Sequence, residues 1–269
     1  MGKQVKQTAK DVKAALDFFK AIGVERIPAP RTSPPRGKAK KSAVSRTLPS
    51  LEGRVEGGFS SSLKGKTLEE LRNEIGPCQK CKLAAGRTNI VFGEGNPQAK
   101  LMFIGEAPGR EEDLQGRPFV GDAGKLLTGF IERMGFARED VFIANIAKCR
   151  PPGNRAPEED EIIACIPYLK KQIEIIEPKV IMALGAVAAQ NLLASKIAIS
   201  ALRGKKFDLN GVPLVPTFHP AYLLRNPSRK WDTLEDALPV LEILDEPEKA
   251  ENLRNLIKKN KKIPSGGAK

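Results

Sequence analysis

Four apolar segments divide the centre of the chain, and segments with helical spacing lie between them. The apolar runs are KLMFIGEA (100–107), DVFIANIAKC (140–149), KVIMALG (179–185) and VPLVPTFHP (212–220). The helical patterns are AGKLLTGFIERMG (123–135), EEDEIIACIPYLKKQIEII (158–176) and AVAAQNLLA (186–194). Strands that are too apolar to have a solvated face, alternating with helices, are typical of a parallel sheet covered on both sides. We therefore predict an α/β fold with a short, mainly parallel four-stranded sheet.

The pattern also predicts where the folded domain begins and ends. Thr67 is followed three residues later by Glu70, as in a helical capping box, so we expect order to begin near Thr67 and to end near Asp245. Residues 28–66 are rich in Pro, Ser, Gly, Lys and Arg, a composition that buries too little apolar surface to fold. We predict a basic, largely disordered extension at 1–66, one domain at 67–245 and a basic tail at 246–269.

The charge of the chain is concentrated at its two ends. The extension holds 15 Lys and Arg against 5 Asp and Glu, the tail holds 7 against 3, and the 179 residues between them are nearly neutral. Basic arms on a neutral body suit a polyanion such as nucleic acid, although solubilising tails explain the charge equally well. No apolar run reaches the roughly 18 residues of a membrane span, and the N-terminus lacks the apolar stretch of a signal peptide. We expect a soluble, cytoplasmic protein.

The four cysteines favour a metal site. Cys78 and Cys81 form a CxxC pair, whereas Cys149 and Cys165 lie further along the chain. In a cytoplasmic protein this pattern favours metal binding over disulfides, and both zinc and a [4Fe–4S] cluster accept four thiolates. Spacing alone slightly favours zinc.

Polar or glycine-rich residues follow all four apolar runs. They are Gly105-Glu106-Ala107-Pro108-Gly109, Asn145, Gly185 and His219, the single histidine of the chain. Ligands of parallel sheets bind beyond the carboxyl ends of the strands. We therefore expect a functional site that brings these residues together.

Four stretches of the sequence, taken in order, resemble a known family. GEAPGREEDLQGRPFVGDAGKLL, NIAKCRPPGNRAP, LGAVAAQNLL and HPAYLLRNPS are similar to the motifs of the family 4 uracil-DNA glycosylases, the iron–sulfur type. The resemblance covers about residues 67–245. It implies a three-layer α/β/α sandwich and a structural [4Fe–4S] cluster on Cys78, Cys81, Cys149 and Cys165. It also implies a monofunctional hydrolase that flips uracil out of DNA and releases the free base, the first step of base excision repair.

The resemblance also implies a uracil pocket. Phe119 would stack on the flipped base, the Asn145 amide would pair with uracil O4 and N3–H, and His219 would stabilise the departing anion near O2. Glu106 would position water or uracil, and Glu112 would screen the C5 side against thymine. Ala107 occupies the position where some relatives carry a water-activating Asp, so the general base stays open. The pocket residues are Gly105, Glu106, Ala107, Glu112, Phe119, Asn145 and His219.

DNA contacts are expected on both sides of this pocket. Leu223 and Leu224 resemble a wedge that enters the base stack, with Arg225 and Arg229 on phosphates and Arg150 and Arg155 on the backbone. The expected partner is uracil-containing DNA, single- or double-stranded, bound by a monomer that contacts no membrane.

Three other interpretations concern partners and function. Residues 15–19 loosely resemble the short peptide that docks on a replication sliding clamp, although the pattern favours a partnerless amphipathic helix over 10–23. A cluster-bearing DNA-binding protein without catalysis is the alternative function. A nucleotide-binding Rossmann enzyme is disfavoured because GEAPGREED lacks the spaced glycines of that fold.

Overall fold

One six-stranded sheet organises the computed structural model, which describes residues 66–261. The spatial order of the strands is β1-β3-β2-β4-β6-β5. Their bounds are β1 (Glu94–Gly95), β2 (Leu101–Gly105), β3 (Phe142–Asn145), β4 (Val180–Leu184), β5 (Phe207–Leu209) and β6 (Val212–Thr217).

The central strands β3, β2, β4 and β6 are mutually parallel, which confirms the four predicted strands. The predicted number was nevertheless too small, because β1 and β5 add an antiparallel strand at each edge. With two residues, β1 is too short to produce an alternating pattern. The sequence does contain a signal for β5, because the dipeptide Asn210-Gly211 is typical of the tight turn that joins two hairpin strands. Both residues have positive φ in the structure, as such a turn requires.

Nine α-helices surround the sheet in the described part of the chain. They are α1 (Leu68–Ile75), α2 (Arg110–Gln115), α3 (Asp122–Arg133), α4 (Glu159–Ile176), α5 (Ala186–Leu192), α6 (Ile199–Leu202), α7 (Pro220–Arg225), α8 (Lys230–Ile243) and α9 (Pro247–Lys261). Short 3-10 turns lie at Lys82–Ala85, Arg138–Asp140, Pro152–Asn154 and Pro227–Arg229. The three helices predicted from periodicity correspond to α3, α4 and α5.

Two hydrophobic cores lie on opposite faces of the sheet. Alternate residues of β2 show the division, because Met102 and Ile104 belong to the core under α1, α4 and α5. Leu101 and Phe103 belong instead to the core formed with α3, α8 and α9. All five residues of β2 are buried, as expected for a strand covered on both sides. The implied three-layer α/β/α sandwich is confirmed.

The two ends of the described region differ in how well they were predicted. Thr67 does cap α1, since its hydroxyl accepts from the Glu70 N–H while the Glu70 carboxylate accepts from the Thr67 N–H. The fold does not end near Asp245, however, because α9 buries Ala250, Leu253 and Ile257 against the core. These three positions share one helical face, but numerous charges conceal the pattern.

Some predictions fall on residues that the structure does not describe. The basic extension up to residue 65, with its candidate clamp-binding segment 15–19, lies outside the described range. Between residues 66 and 261, no helix combines the length and apolar character required to span a bilayer.

Candidate active site

A cavity of about 400 Å³ opens at the carboxyl ends of the parallel strands. Three segments predicted from sequence line it: the loop after β2, Asn145 at the end of β3, and His219 just beyond β6. Phe119 lines it from the loop between α2 and α3. Strand ends that lie far apart along the chain therefore meet in one cavity, as expected for a parallel sheet.

Asn145 has a buried side chain with unused hydrogen-bonding capacity. The residue is 1% exposed, and its Oδ1 atom has no hydrogen-bond partner among the residues that the structure describes. Its neighbour in the sheet register is Gly105. A Cβ atom on Gly105 would lie 2.4 Å from Asn145 Oδ1 and 2.5 Å from Phe119 Cζ. Glycine is therefore required at 105, because both pocket side chains lie directly against it.

Phe119 is held in place by its own loop. It is 6% exposed and has a φ of 50°, an uncommon conformation for a bulky residue. The Glu112 carboxylate stabilises this loop, since it accepts hydrogen bonds from the backbone N–H groups of Val120 and Gly121. It also accepts from the Gly109 N–H at the start of α2. Glu112 thus lines the cavity as predicted, but two of these three hydrogen bonds are made to the loop that carries Phe119.

His219 lies against Phe119 in the lining of the cavity, with the two ring centroids 5.6 Å apart. Gly185 leaves room for His219, because a Cβ atom on Gly185 would lie 2.8 Å from His219 Cβ. His219 caps the N-terminus of α7, with Nδ1 accepting from the Ala221 N–H at 3.1 Å. In a neutral ring this bond leaves the proton on Nε2. Burial, together with the nearby Arg225 charge, lowers the pKa of His219 to about 4, and the Glu112 charge opposes that shift.

The His219 pKa gives a direct pH prediction. We expect the imidazole to stay neutral down to about pH 4, whereas an unperturbed histidine titrates at about pH 6.5. Because the unfolded chain takes up this proton at the higher pH, His219 should also reduce stability as the pH falls through this interval. Proton NMR of the imidazole measures the pKa without an assignment problem, since the chain has one histidine. If the imidazole titrated near pH 6.5 in the folded protein, as it should in a urea-unfolded control, the lowered pKa of His219 would be disproved.

Glu106 and Ala107 also line the cavity. Burial raises the pKa of the Glu106 carboxyl above its usual range. Ala107 provides no titratable group and packs beside the cluster formed by Leu83, Ala147 and Cys149. Of the carboxylates in the cavity lining, Glu112 is held by three backbone bonds, so Glu106 has the greater freedom to orient water.

The predicted DNA-contacting residues are placed unequally. Leu223 is 3% exposed and packs with Leu126 and Phe218, so it belongs to the core and not to a wedge. Leu224 is partly exposed, and Arg225 is exposed at the cavity rim. Leu224 and Arg225 are therefore the residues of HPAYLLRNPS that α7 presents to the outside.

The remaining predicted arginines have protein partners. Arg155 makes a two-pronged contact with the buried carboxylate of Glu161, at 2.8 and 2.6 Å. Arg150 donates to Asn154 Oδ1 at 2.7 Å. Arg229 is exposed and pairs with Asp232 at 3.0 Å. The guanidinium of Arg155 therefore stabilises the loop after Cys149 in addition to lining the cavity.

Sequence reasoning missed two polar residues of the cavity, Asn154 and Tyr222. Asn154 has a φ of 54°, and its place in PPGNRAP is typical of a turn. Tyr222 stacks on Phe218 with ring centroids 4.9 Å apart, and its position in HPAYLL is equally typical of a core aromatic.

The four cysteines line a second, smaller cavity on the α1–α4 side of the sheet. Cys78 and Cys81 follow α1, Cys149 follows β3, and Cys165 lies in α4. The rest of the lining combines apolar side chains with the cations Lys80, Arg87 and Lys148. Burial raises the pKa of the Cys165 thiol to about 11.

Two N–H groups already point at sulfur in this cavity. Arg87 donates to Cys149 Sγ at 3.6 Å, and the Lys148 backbone N–H donates to Cys165 Sγ at 3.2 Å. Among the described residues, no group of three or more His, Cys, Asp or Glu side chains converges closely enough to hold a single metal ion. The cavity lining nevertheless contains four thiols together with Lys80, Arg87 and Lys148, three cations that would balance the negative charge of thiolate ligands.

A family profile matches the part of the chain that forms this sheet and cavity. The sequence profile of the Uracil DNA glycosylase superfamily matches residues 92–242, which include β2, β3, β4 and β6. The chain therefore belongs to the uracil DNA glycosylase superfamily.

Within the superfamily, the chain is similar to type-4 uracil-DNA glycosylases. It is 47% identical to that of Sulfurisphaera tokodaii, over 68% of this chain and 87% of the relative. Identity is 50% to that of Saccharolobus solfataricus, over 66% of this chain and 86% of the relative. Identity is 49% to that of Thermotoga maritima, over 61% of this chain and 86% of the relative. These values place the chain with the type-4 glycosylases, in agreement with the resemblance of its motifs.

Proposed function

We propose that this protein excises uracil from DNA by hydrolysing the N-glycosidic bond of a flipped deoxyuridine. The observation that carries the proposal is the unpartnered Asn145 Oδ1, buried beside Phe119 in the strand-end cavity. A buried amide without a partner is costly unless a ligand supplies one. Uracil does so, because its N3–H donates to the amide oxygen while its O4 accepts from the amide nitrogen.

The geometry supports stabilisation of the leaving group. Because Nδ1 of His219 accepts from the backbone, Nε2 carries the proton and donates to uracil O2 as negative charge develops there. A neutral donor is sufficient, and the low pKa of His219 keeps it neutral. The glycosidic bond breaks with its electrons going to the base. Water adds at C1′ and releases a proton to solvent, and the departing uracil anion takes up a proton from solvent.

Water activation by a strong base is not required in this scheme. Ala107 lacks a carboxylate, so the sugar must carry much of the positive charge before water attacks. Glu106 lies beside Ala107 in the same loop and lines the cavity, where its carboxylate orients the water. The reaction is therefore largely dissociative, and the pocket acts mainly on the departing base.

DNA would approach from the α7 side of the cavity. Leu224 fills the space left by the flipped nucleotide, and Arg225 meets the flanking phosphate. Because Leu223 is buried, the wedge is one residue and not two. The described body carries little net charge, so the basic ends of the chain would supply additional attraction to DNA.

The test is an excision assay on oligonucleotides that carry one uracil opposite G, opposite A or in a single strand. Alkali breaks the strand wherever an abasic site has formed, so strand breakage reports excision. We expect breakage at uracil in all three substrates and none in matched oligonucleotides with cytosine or thymine. Binding without breakage would favour the alternative of a cluster-bearing DNA-binding protein.

We further infer that the four cysteines hold a structural [4Fe–4S] cluster. When bound, the cluster would join the segment after α1, the loop after β3 and helix α4. Aerobically purified protein should be brown and contain about four iron atoms per chain. Its absorption spectrum should show a broad band at about 400 nm that dithionite bleaches little. The Cys78→Ser variant should lose this band. A colourless wild-type protein with stoichiometric zinc would overturn the cluster assignment.

A further inference from the structure

Lys148 is a buried cation between the uracil pocket and the cysteine cavity. It is 2% exposed, yet it lies in the loop between Asn145 and Cys149. Its Nζ atom donates to the backbone carbonyl of Asn145 at 3.0 Å and to Gln172 Oε1 at 2.6 Å. Burying an ammonium group is expensive, so its two acceptors must hold it firmly.

The acceptor at Asn145 is a carbonyl that the sheet leaves unpaired. On the β2 side, the N–H groups of Ile146 and Ala147 continue the ladder by donating to Gly105 and Glu106. On the opposite side, the register of β1 with β3 covers Phe142 and Ile143 only and stops before Asn145. The Lys148 ammonium therefore supplies the hydrogen bond that a neighbouring strand would have supplied.

Gln172 fixes the ammonium in turn. This helix α4 side chain is fully buried and donates from Nε2 to the backbone carbonyl of Phe92 at 2.9 Å. The backbone of Lys148 is tied as well, since its carbonyl accepts from the Val91 N–H at 2.8 Å. The ammonium group is thus held by α4, and it has little freedom to leave the Asn145 carbonyl.

We propose that Lys148 is a positioning residue for uracil recognition: it fixes the peptide plane at Asn145 and thereby aims the Asn145 amide at the base. This inference rests on the proposed function. The direction of the amide depends on the backbone that carries it, and an error of about 1 Å in a positioned group costs on the order of 10²-fold in rate. Lys148 does not touch the substrate, because Asn145 lies between them.

The test compares the Lys148→Met variant in two backgrounds. In the otherwise wild-type protein, we expect the single-turnover rate of uracil excision to fall on the order of 10²-fold. The Kd for duplex DNA containing a stable abasic-site analogue should stay unchanged, because that ligand has no base for Asn145 to recognise. In the Asn145→Ala background, adding Lys148→Met should change the excision rate less than about twofold, since no amide is left to aim.

A second variant separates positioning from stability. Leu253→Ala is the stability control, because Leu253 is 1% exposed on α9 and its truncation should lower the melting temperature without touching Lys148 or Asn145. We expect this variant to keep a near wild-type excision rate, in preparations matched for absorbance at about 400 nm, although its melting temperature falls at least as far as that of Lys148→Met.

The outcomes distinguish this inference from the proposed function. Wild-type protein without uracil excision would refute the function itself. Wild-type excision together with an undiminished Lys148→Met rate would overturn the positioning role. Equal losses in both backgrounds, or a rate that falls as far in Leu253→Ala as in Lys148→Met, would also overturn it, because either result indicates a general structural effect.

Discussion

The Asn145→Asp variant is expected to lose uracil excision by on the order of 10²-fold or more and to gain weak excision of cytosine. Cytosine presents an amine donor at C4 and an unprotonated N3, the opposite of uracil at these two atoms. A protonated carboxyl at 145 accepts from that amine and donates to N3. Since the site is 1% exposed, burial raises the pKa of the new carboxyl, and cytosine excision should increase toward acidic pH.

The excision assay measures this change with uracil and cytosine substrates over a series of pH values. Asn252→Asp is the matched control, because Asn252 is exposed on α9 and should leave both activities unchanged. Wild-type uracil activity in Asn145→Asp, with the cluster band intact, would show that Asn145 does not recognise the base.

The Gly105→Ala variant should have a comparable effect without altering any polar group. The added methyl group would lie 2.4 Å from Asn145 Oδ1 and 2.5 Å from Phe119 Cζ, so both side chains must move. Displacement of the amide and of the stacking ring should lower the single-turnover rate on the order of 10²-fold.

Gly121→Ala is the control for this prediction. A Cβ atom at Gly121 would meet its nearest neighbour, Glu112 Oε1, at 3.5 Å, and its φ of −73° suits any residue. We expect near wild-type excision from Gly121→Ala. Equal rates in the two glycine variants would contradict the close packing of Asn145 and Phe119 over Gly105.

The sequence predicts the centre of this fold well because the centre follows simple physical patterns. Strands β2, β3, β4 and β6 are continuous apolar runs, and Asn145 and His219 follow two of them directly. The rule that ligands bind at the carboxyl ends of parallel strands then locates the cavity. The motif resemblance assigned roles to these residues, which their positions alone left open.

Other features depend on tertiary contacts that no local pattern records. Leu223 and Leu224 are identical in sequence character, and only the packing of α7 against Leu126 and Phe218 decides that Leu223 is buried. Lys148 looks like a surface cation in AKCRPP, because its acceptor Gln172 lies 24 residues away. The burial of α9 likewise depends on α8, which covers the apolar face of a highly charged helix.

The central claim is that this cavity releases uracil as the free base. The most direct measurement is chromatographic quantification of free uracil together with abasic sites, after incubation of the cluster-loaded protein with uracil-containing DNA. The account predicts one free uracil for each abasic site formed by the wild-type protein, and free uracil lower on the order of 10²-fold or more with the Asn145→Asp variant on the same time scale. DNA that is bound but still contains all its uracil would contradict the account.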